Sequence, residues 1–146
     1  MARTSSIDTL IDLAKDHRDE AAKALGVLNN AHQLSQQQLD ALIRYRQEYR
    51  EQLDQAMNTG VSMARLDNFQ RFLTTLDLAI AQQTQAVSTN ERRVDSGKRH
   101  WQSQHQRYRS FDVLAQRRRD AEMARENRRE QQDTDEHAGR SRSTLS

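Results

Sequence analysis

An all-α fold is what this sequence predicts: two long helices folded back on each other as an antiparallel coiled-coil hairpin, followed by a disordered C-terminal tail. Three observations predict it. Every seventh residue from Leu66 to Ala115 is apolar, namely Leu66, Leu73, Ile80, Val87, Val94, Trp101, Tyr108 and Ala115. In a chain that is 34% hydrophobic, such a run in a given register arises by chance on the order of once in five thousand, before allowing for the choice of registers. There is no proline, and the four glycines leave one dense stop signal, Asn58-Thr59-Gly60. On the other side of that signal the chain carries a second register of alternating three- and four-residue steps: Ile7, Ile11, Ala14, Ala21, Leu25, Leu28, Leu39, Leu42, Tyr49, Leu53 and Ala56. A strict seven-residue repeat drifts around a straight helix, so the two stripes stay dry only if the helices wind about each other.

The elements follow in order. Helix 1 is predicted over about 5–57, with Ser5 or Ser6 as N-cap and Asp8 at the positive end of its dipole. Its seam is the less regular one, because the same register also takes in Thr4, Arg18, His32, Ser35 and Arg46. The turn is predicted over 58–61, where Gly60 is able to adopt the left-handed conformation that ends a helix. Helix 2 is predicted over about 62–130, with Ser62 as its N-cap. A connection this short favours antiparallel neighbours, so residues 1–130 form the hairpin. From Gln131 to Ser146 the chain is polar and short of apolar groups, which predicts a disordered tail over 131–146.

A hairpin requires facing residues to have a nearly constant sum of numbers. Leu53 with Leu66, Arg46 with Leu73, Leu39 with Ile80, His32 with Val87 and Leu25 with Val94 all sum to 119. Gly97 falls across from Ala21, Ala22 and Ala24. It reads equally as a close approach of two backbones or as a tolerated mid-helix glycine costing about 1 kcal/mol.

One region carries more apolar surface than a two-helix seam needs. Gln38, Leu42, Tyr45 and Tyr49 on helix 1, and Phe72, Leu76, Ala79 and Gln83 on helix 2, follow matching steps and sum to 121 when paired. They predict one ribbon with Tyr45, Tyr49, Phe72 and Leu76 at its centre. Exposed aromatic anchors are what protein-binding sites supply. The competing reading is that these groups thicken the seam, with Leu42 and Leu76 already at seam positions.

Other chemistry is missing. Zero cysteine excludes disulfides and thiolate catalysis and fits a reducing compartment. No signal peptide and no apolar run near the roughly 20 residues of a membrane span is recognisable, which predicts a cytoplasmic protein. His100 and His105 are five apart, on different helix faces, and His17, His32 and His137 stand alone, so no metal site is predicted. With no phosphate loop, catalytic set or cleft, neither an enzyme nor a bound cofactor is predicted.

The net charge of +2 conceals a division, because residues 61–129 carry 14 basic and 8 acidic side chains. The clusters include Arg92-Arg93, Arg117-Arg118-Arg119 and Arg128-Arg129. A basic helix reading DNA needs a parallel zipper after the basic region, whereas here the heptads precede it and pair antiparallel. A solvated helix face therefore outweighs nucleic-acid binding. A purely structural spacer is the other alternative, and it leaves the local aromatic excess unexplained.

The sequence resembles the FliJ family of flagellar export proteins over nearly its whole length. The resemblance is carried by Ala41-Leu42-Ile43-Arg44-Tyr45-Arg46-Gln47-Glu48-Tyr49-Arg50, Met57-Asn58-Thr59-Gly60, Asn68-Phe69-Gln70-Arg71-Phe72-Leu73, Leu76 with Ala79-Ile80, and Ala124-Arg125-Glu126-Asn127-Arg128. It implies an antiparallel coiled coil similar to the shaft subunit of rotary ATP synthases. It further implies a non-catalytic, rod-like coupling protein of the type III export apparatus, peripherally associated with the inner face of the cell membrane at the flagellar base. Its implied partners are the hexameric export ATPase, whose ring it enters and whose assembly and ATP hydrolysis it promotes, the cytoplasmic domain of the large export-gate membrane protein, and export chaperones. The family's gate-binding positions fall on Gln38, Leu42, Tyr45, Tyr49, Phe72, Leu76, Ala79 and Gln83. Gln83 departs from the pattern, since histidine stands there in a close family member. Arg117, Arg118 and Arg119 are the candidate contact with acidic groups of the ATPase ring.

Overall fold

The computed structural model describes residues 6–144 and consists of two helices, α1 (Ser6–Thr59) and α2 (Met63–Thr144). Ser5 lies outside the described residues. Ser6 is the first residue of α1, and Asp8 sits in its first turn. α1 runs two residues past its expected end, because Asn58 and Thr59 remain helical and Gly60 takes a positive φ, +93°. The Thr59 hydroxyl donates back to the carbonyls of Gln55 at 3.1 Å and Ala56 at 3.3 Å, which satisfies acceptors of the last turn. Ser62 caps α2 as predicted: its Oγ accepts from the Arg65 amide at 3.2 Å, and its carbonyl accepts from the Leu66 amide at 2.9 Å.

The chain divides into two units. The one that contains the turn is Glu20–Gln102. Here α1 and α2 pack along a seam that buries Ala21, Leu39, Leu53, Phe69, Leu76, Val87 and Val94. No residue of the predicted α1 register from Ala21 to Ala56 is exposed, including His32, Ser35 and Arg46. The pairing is antiparallel: Tyr49 meets Phe69, Ser35 meets Gln83, Ala31 meets Asn90 and Leu25 meets Gly97. Sums of facing numbers run from 117 for Tyr45 with Phe72 to 125 for Leu28 with Gly97, bracketing the expected 119.

The middle of this seam is polar. Gln83 Nε2 donates to the Ser35 carbonyl at 2.9 Å and to Gln38 Oε1 at 3.2 Å. Asn90 Nδ2 donates to the Ala31 carbonyl at 3.4 Å, and Ser35, 5% exposed, donates from Oγ to the His32 carbonyl at 2.8 Å. Such bonds add little net stability, yet a slipped register would break those that Gln83 and Asn90 make across the pair, so these two side chains favour the observed facing of residues. Gly97 resolves in favour of close approach. A Cβ placed there would lie 2.8 Å from Leu28 Cδ1 and 3.4 Å from Leu25 Cδ1.

The second unit comprises Met1–Asp19 and Ser103–Ser146. It buries Ala14 and Ala115, and the Arg18 guanidinium lies 4.3 Å from the centre of the Tyr108 ring. From Gln116 to Ser143 every side chain is exposed. The predicted disordered tail is corrected here, because α2 continues unbroken through 131–144; Leu145 and Ser146 lie outside the described residues. Weak apolar content removes packing but supplies no stop signal. This stretch has no proline, its single Gly139 costs about 1 kcal/mol, and extending an existing helix avoids the nucleation penalty. Because every side chain from 131 to 143 is exposed, deleting 131–146 should leave the thermal midpoint within about 1 °C and lower only the helical circular-dichroism signal. A larger drop in midpoint would show that this stretch carries tertiary stability.

A half-exposed aromatic cluster as the candidate functional site

Four rings from both helices converge close to the turn. Tyr49 and Phe72 are the nearest pair, with centroids 4.5 Å apart, and Tyr45 meets Phe72 edge-on at 5.8 Å and 89°. Tyr45 and Tyr49, four residues apart on one face of α1, are 6.4 Å apart. Phe69 closes the cluster at 5.0 Å from Tyr49. Edge-on and tilted pairs of this kind contribute about 0.5–1.5 kcal/mol each beyond their buried area. The rings are therefore held rigid before any partner arrives.

The ribbon residues divide by depth. Tyr45 is 48% exposed and Gln38 is exposed, whereas Leu42, Tyr49, Phe72, Ala79 and Gln83 are half-buried. Leu76, at 6% exposure, belongs to the core, in line with the seam reading. Gln83 is tied to Gln38 and to the α1 backbone, so these two extend the ribbon along the helix pair as a hydrogen-bonded layer. Phe69 was not singled out for the site. Its spacing gave the signal, since 69 and 76 are successive seam positions between Leu66 and Leu73 and beyond. Polar or small residues at 83, 90 and 97 weaken that stripe to the eye. Phe69 is 8% exposed, with the Arg65 guanidinium 5.8 Å above its ring.

Arg117, Arg118 and Arg119 are all exposed on α2. Arg117 borders a shallow concavity lined by Gln106, Arg109, Ser110, Val113 and Leu114. They lie in the other unit. Among the described residues there is no group of three or more His, Asp or Glu side chains placed to hold a metal, and no helix is long and apolar enough to cross a membrane.

A family model described as "Flagellar FliJ protein" matches residues 4–144. The chain is 35% identical over 140 residues to the Flagellar FliJ protein of Escherichia coli (strain K12), an alignment that spans 96% of this chain and 95% of that relative. The Flagellar FliJ protein of Salmonella typhi matches to the same extent. With a family match and relatives that extend over both helices and the turn, this chain belongs to the FliJ family, non-catalytic helical proteins of the flagellar export apparatus.

Proposed function

We propose that this protein couples the flagellar export ATPase to the export gate. In this reading it docks in the hexameric ATPase ring, promotes ring assembly and ATP hydrolysis, contacts the cytoplasmic domain of the large gate protein through the surface formed by Gln38, Leu42, Tyr45, Tyr49, Phe72, Ala79 and Gln83 with Leu76 supporting it from the core, and binds export chaperones. It acts in the cytoplasm, associated peripherally with the membrane at the flagellar base. The observation that carries the reading is the preorganised, half-exposed cluster of Tyr45, Tyr49 and Phe72. Rigid aromatic groups bind at low entropic cost, and a spacer has no use for them in solvent.

The Arg117, Arg118 and Arg119 cluster is the proposed ring contact, exposed and basic where an acidic pore lining would meet it. The test is hydrolysis by the purified export ATPase with and without this chain. The native chain is expected to stimulate hydrolysis several-fold. Arg117→Glu, Arg118→Glu and Arg119→Glu together should remove most of that stimulation, with helicity unchanged because all three side chains are in solvent. Stimulation intact in the triple variant would reject the ring contact. No stimulation by the native chain would reject the coupling role.

A further inference from the structure

The two flanks of the seam in the turn-containing unit differ in kind. One flank is closed by polar contacts from seam residues of α1 to acidic groups of α2: the Arg46 to Asp77 ion pair, and His32 Nε2 lying 3.6 Å from the Glu91 carboxylate. The other flank is drawn by Tyr45 against Phe72, Gln38 against Gln83 and Ala31 against Asn90. On α1 this second flank continues outward as a stripe on alternating three- and four-residue steps, Ala24, Val27, Ala31, Leu34, Gln38, Ala41 and Tyr45. Six of these seven are apolar or aromatic, and all seven are exposed, with Val27 at 68% and Leu34 at 56%. Their spacing is that of a helix-packing seam, yet α2 touches only its inner edge, at Ala31, Gln38 and Tyr45.

The borders of the stripe are charged with one sign. At the positions flanking it, α1 carries Lys23 and Arg44, and α2 carries Arg93 in the heptad position of Phe72, while Arg71 is held by Asp67 one turn back on α2 at 2.9 Å. The acidic groups of the same stretch, Asp40, Asp77, Glu91 and Asp95, fall at other positions of the repeat, Asp77 and Glu91 on the opposite flank. We infer that this stripe is the docking seam for an amphipathic helix of a partner protein with acidic borders, laid along α1 as a third strand of a helical bundle. Alternating alanines with Val27, Leu34 and Tyr45 let a helix backbone approach closely and give its larger side chains holes to enter. The run from 24 to 45 is about 30 Å long, room for roughly six helical turns of a partner.

A second copy of this chain would bring basic borders against basic borders, which disfavours self-association. An anionic membrane would accept the charge, but membrane-lying helices present broad faces of large side chains, whereas Ala24, Ala31 and Ala41 offer little to insert. The stripe shares Gln38 and Tyr45 with the proposed gate surface but does not depend on it, since Val27 and Leu34 lie outside that surface.

The test titrates the full chain against a fluorescent synthetic helix of roughly 28 residues, long enough to hold its fold, with leucine and alanine along one seam and glutamate on both borders. A version with lysine borders is the control. The acidic peptide is expected to bind and the basic one not to. Val27→Glu with Leu34→Glu should weaken binding by at least about tenfold without altering circular dichroism, because both side chains stand in solvent. The same double variant should retain binding to the gate domain, which separates this seam from the gate surface. Failure of the acidic peptide to bind, equal binding to the native chain and the double variant, or equal binding of both peptides would overturn the inference. So would capture of the chain by anionic vesicles, or a dimer in sedimentation, that the double variant abolishes.

Discussion

Leu76→Ala is expected to lower the stability of the hairpin by about 2–4 kcal/mol, and Tyr45→Ala by less than about 1 kcal/mol, although both residues belong to the same ribbon. The difference is burial. Leu76 is 6% exposed and loses both transfer energy and packing when truncated, with a cavity left between α1 and α2. Tyr45 is 48% exposed and gives up mainly its edge-on contact with Phe72. Binding to the gate domain should follow the opposite order when measured well below the unfolding temperature. There, Tyr45→Ala removes an exposed anchor and is expected to cost tenfold or more in affinity, about 1.4 kcal/mol or above. Thermal melts and a binding titration on the two variants check both halves. If Tyr45→Ala binds like the native chain, the cluster is not the gate surface. A Phe72→Ala, Leu76→Ala double variant is a poorer probe, because its core half unfolds protein as well as removing surface.

Gly97→Leu is expected to destabilise the pair by about 1–3 kcal/mol, while Gly97→Ala comes out close to neutral. At this point a Cβ alone would already come within 2.8 Å of Leu28 Cδ1. That atom is the far end of a flexible side chain, so alanine asks only for a small rotation. In return it gains about 1 kcal/mol of helix propensity over glycine. A leucine cannot be housed in that way, because Leu25 also lies within 3.4 Å and its Cα within 3.9 Å, so the helices must separate. Urea titrations of the two variants provide the measurement. A stable Gly97→Leu would mean that the helices are free to part here without penalty.

The α1 seam was legible from Ile7 to Ala56 because its residues advance in three- and four-residue steps, and of the polar residues in that register Ser35 is buried while the His32 and Arg46 side chains stay about a third exposed, at 32% and 34%. The turn was legible for the same kind of reason: Gly60 is the residue that tolerates φ +93°, and Ser62 is a hydroxyl placed three residues before the Arg65 amide. The α2 seam was only half legible. Leu66 to Ala115 stood out, but its companion stripe passes from Phe69 and Leu76 into Gln83, Asn90 and Gly97, where hydrogen bonding and close approach replace apolar burial. The stretch 131–144 carries too few apolar groups to pack, yet it continues α2 as helix. Composition governs whether a segment packs, and an unbroken ladder of backbone hydrogen bonds governs whether it stays helical.

By itself the sequence determined two helices, the place and residue of the turn, the face each helix buries, and the family, because these rest on local periodicity and on side-chain and backbone chemistry within a few residues. The tertiary structure alone decided depth: that Leu76 and Phe69 are core while Tyr45 and Gln38 face solvent, that Gly97 is a point of contact, and that the stripe from Ala24 to Tyr45 is left uncovered. The physical reason is that exposure is a property of a pair of helices. A residue one step beside the seam is hidden or open according to the azimuth and spacing of its neighbour, which no single helix encodes.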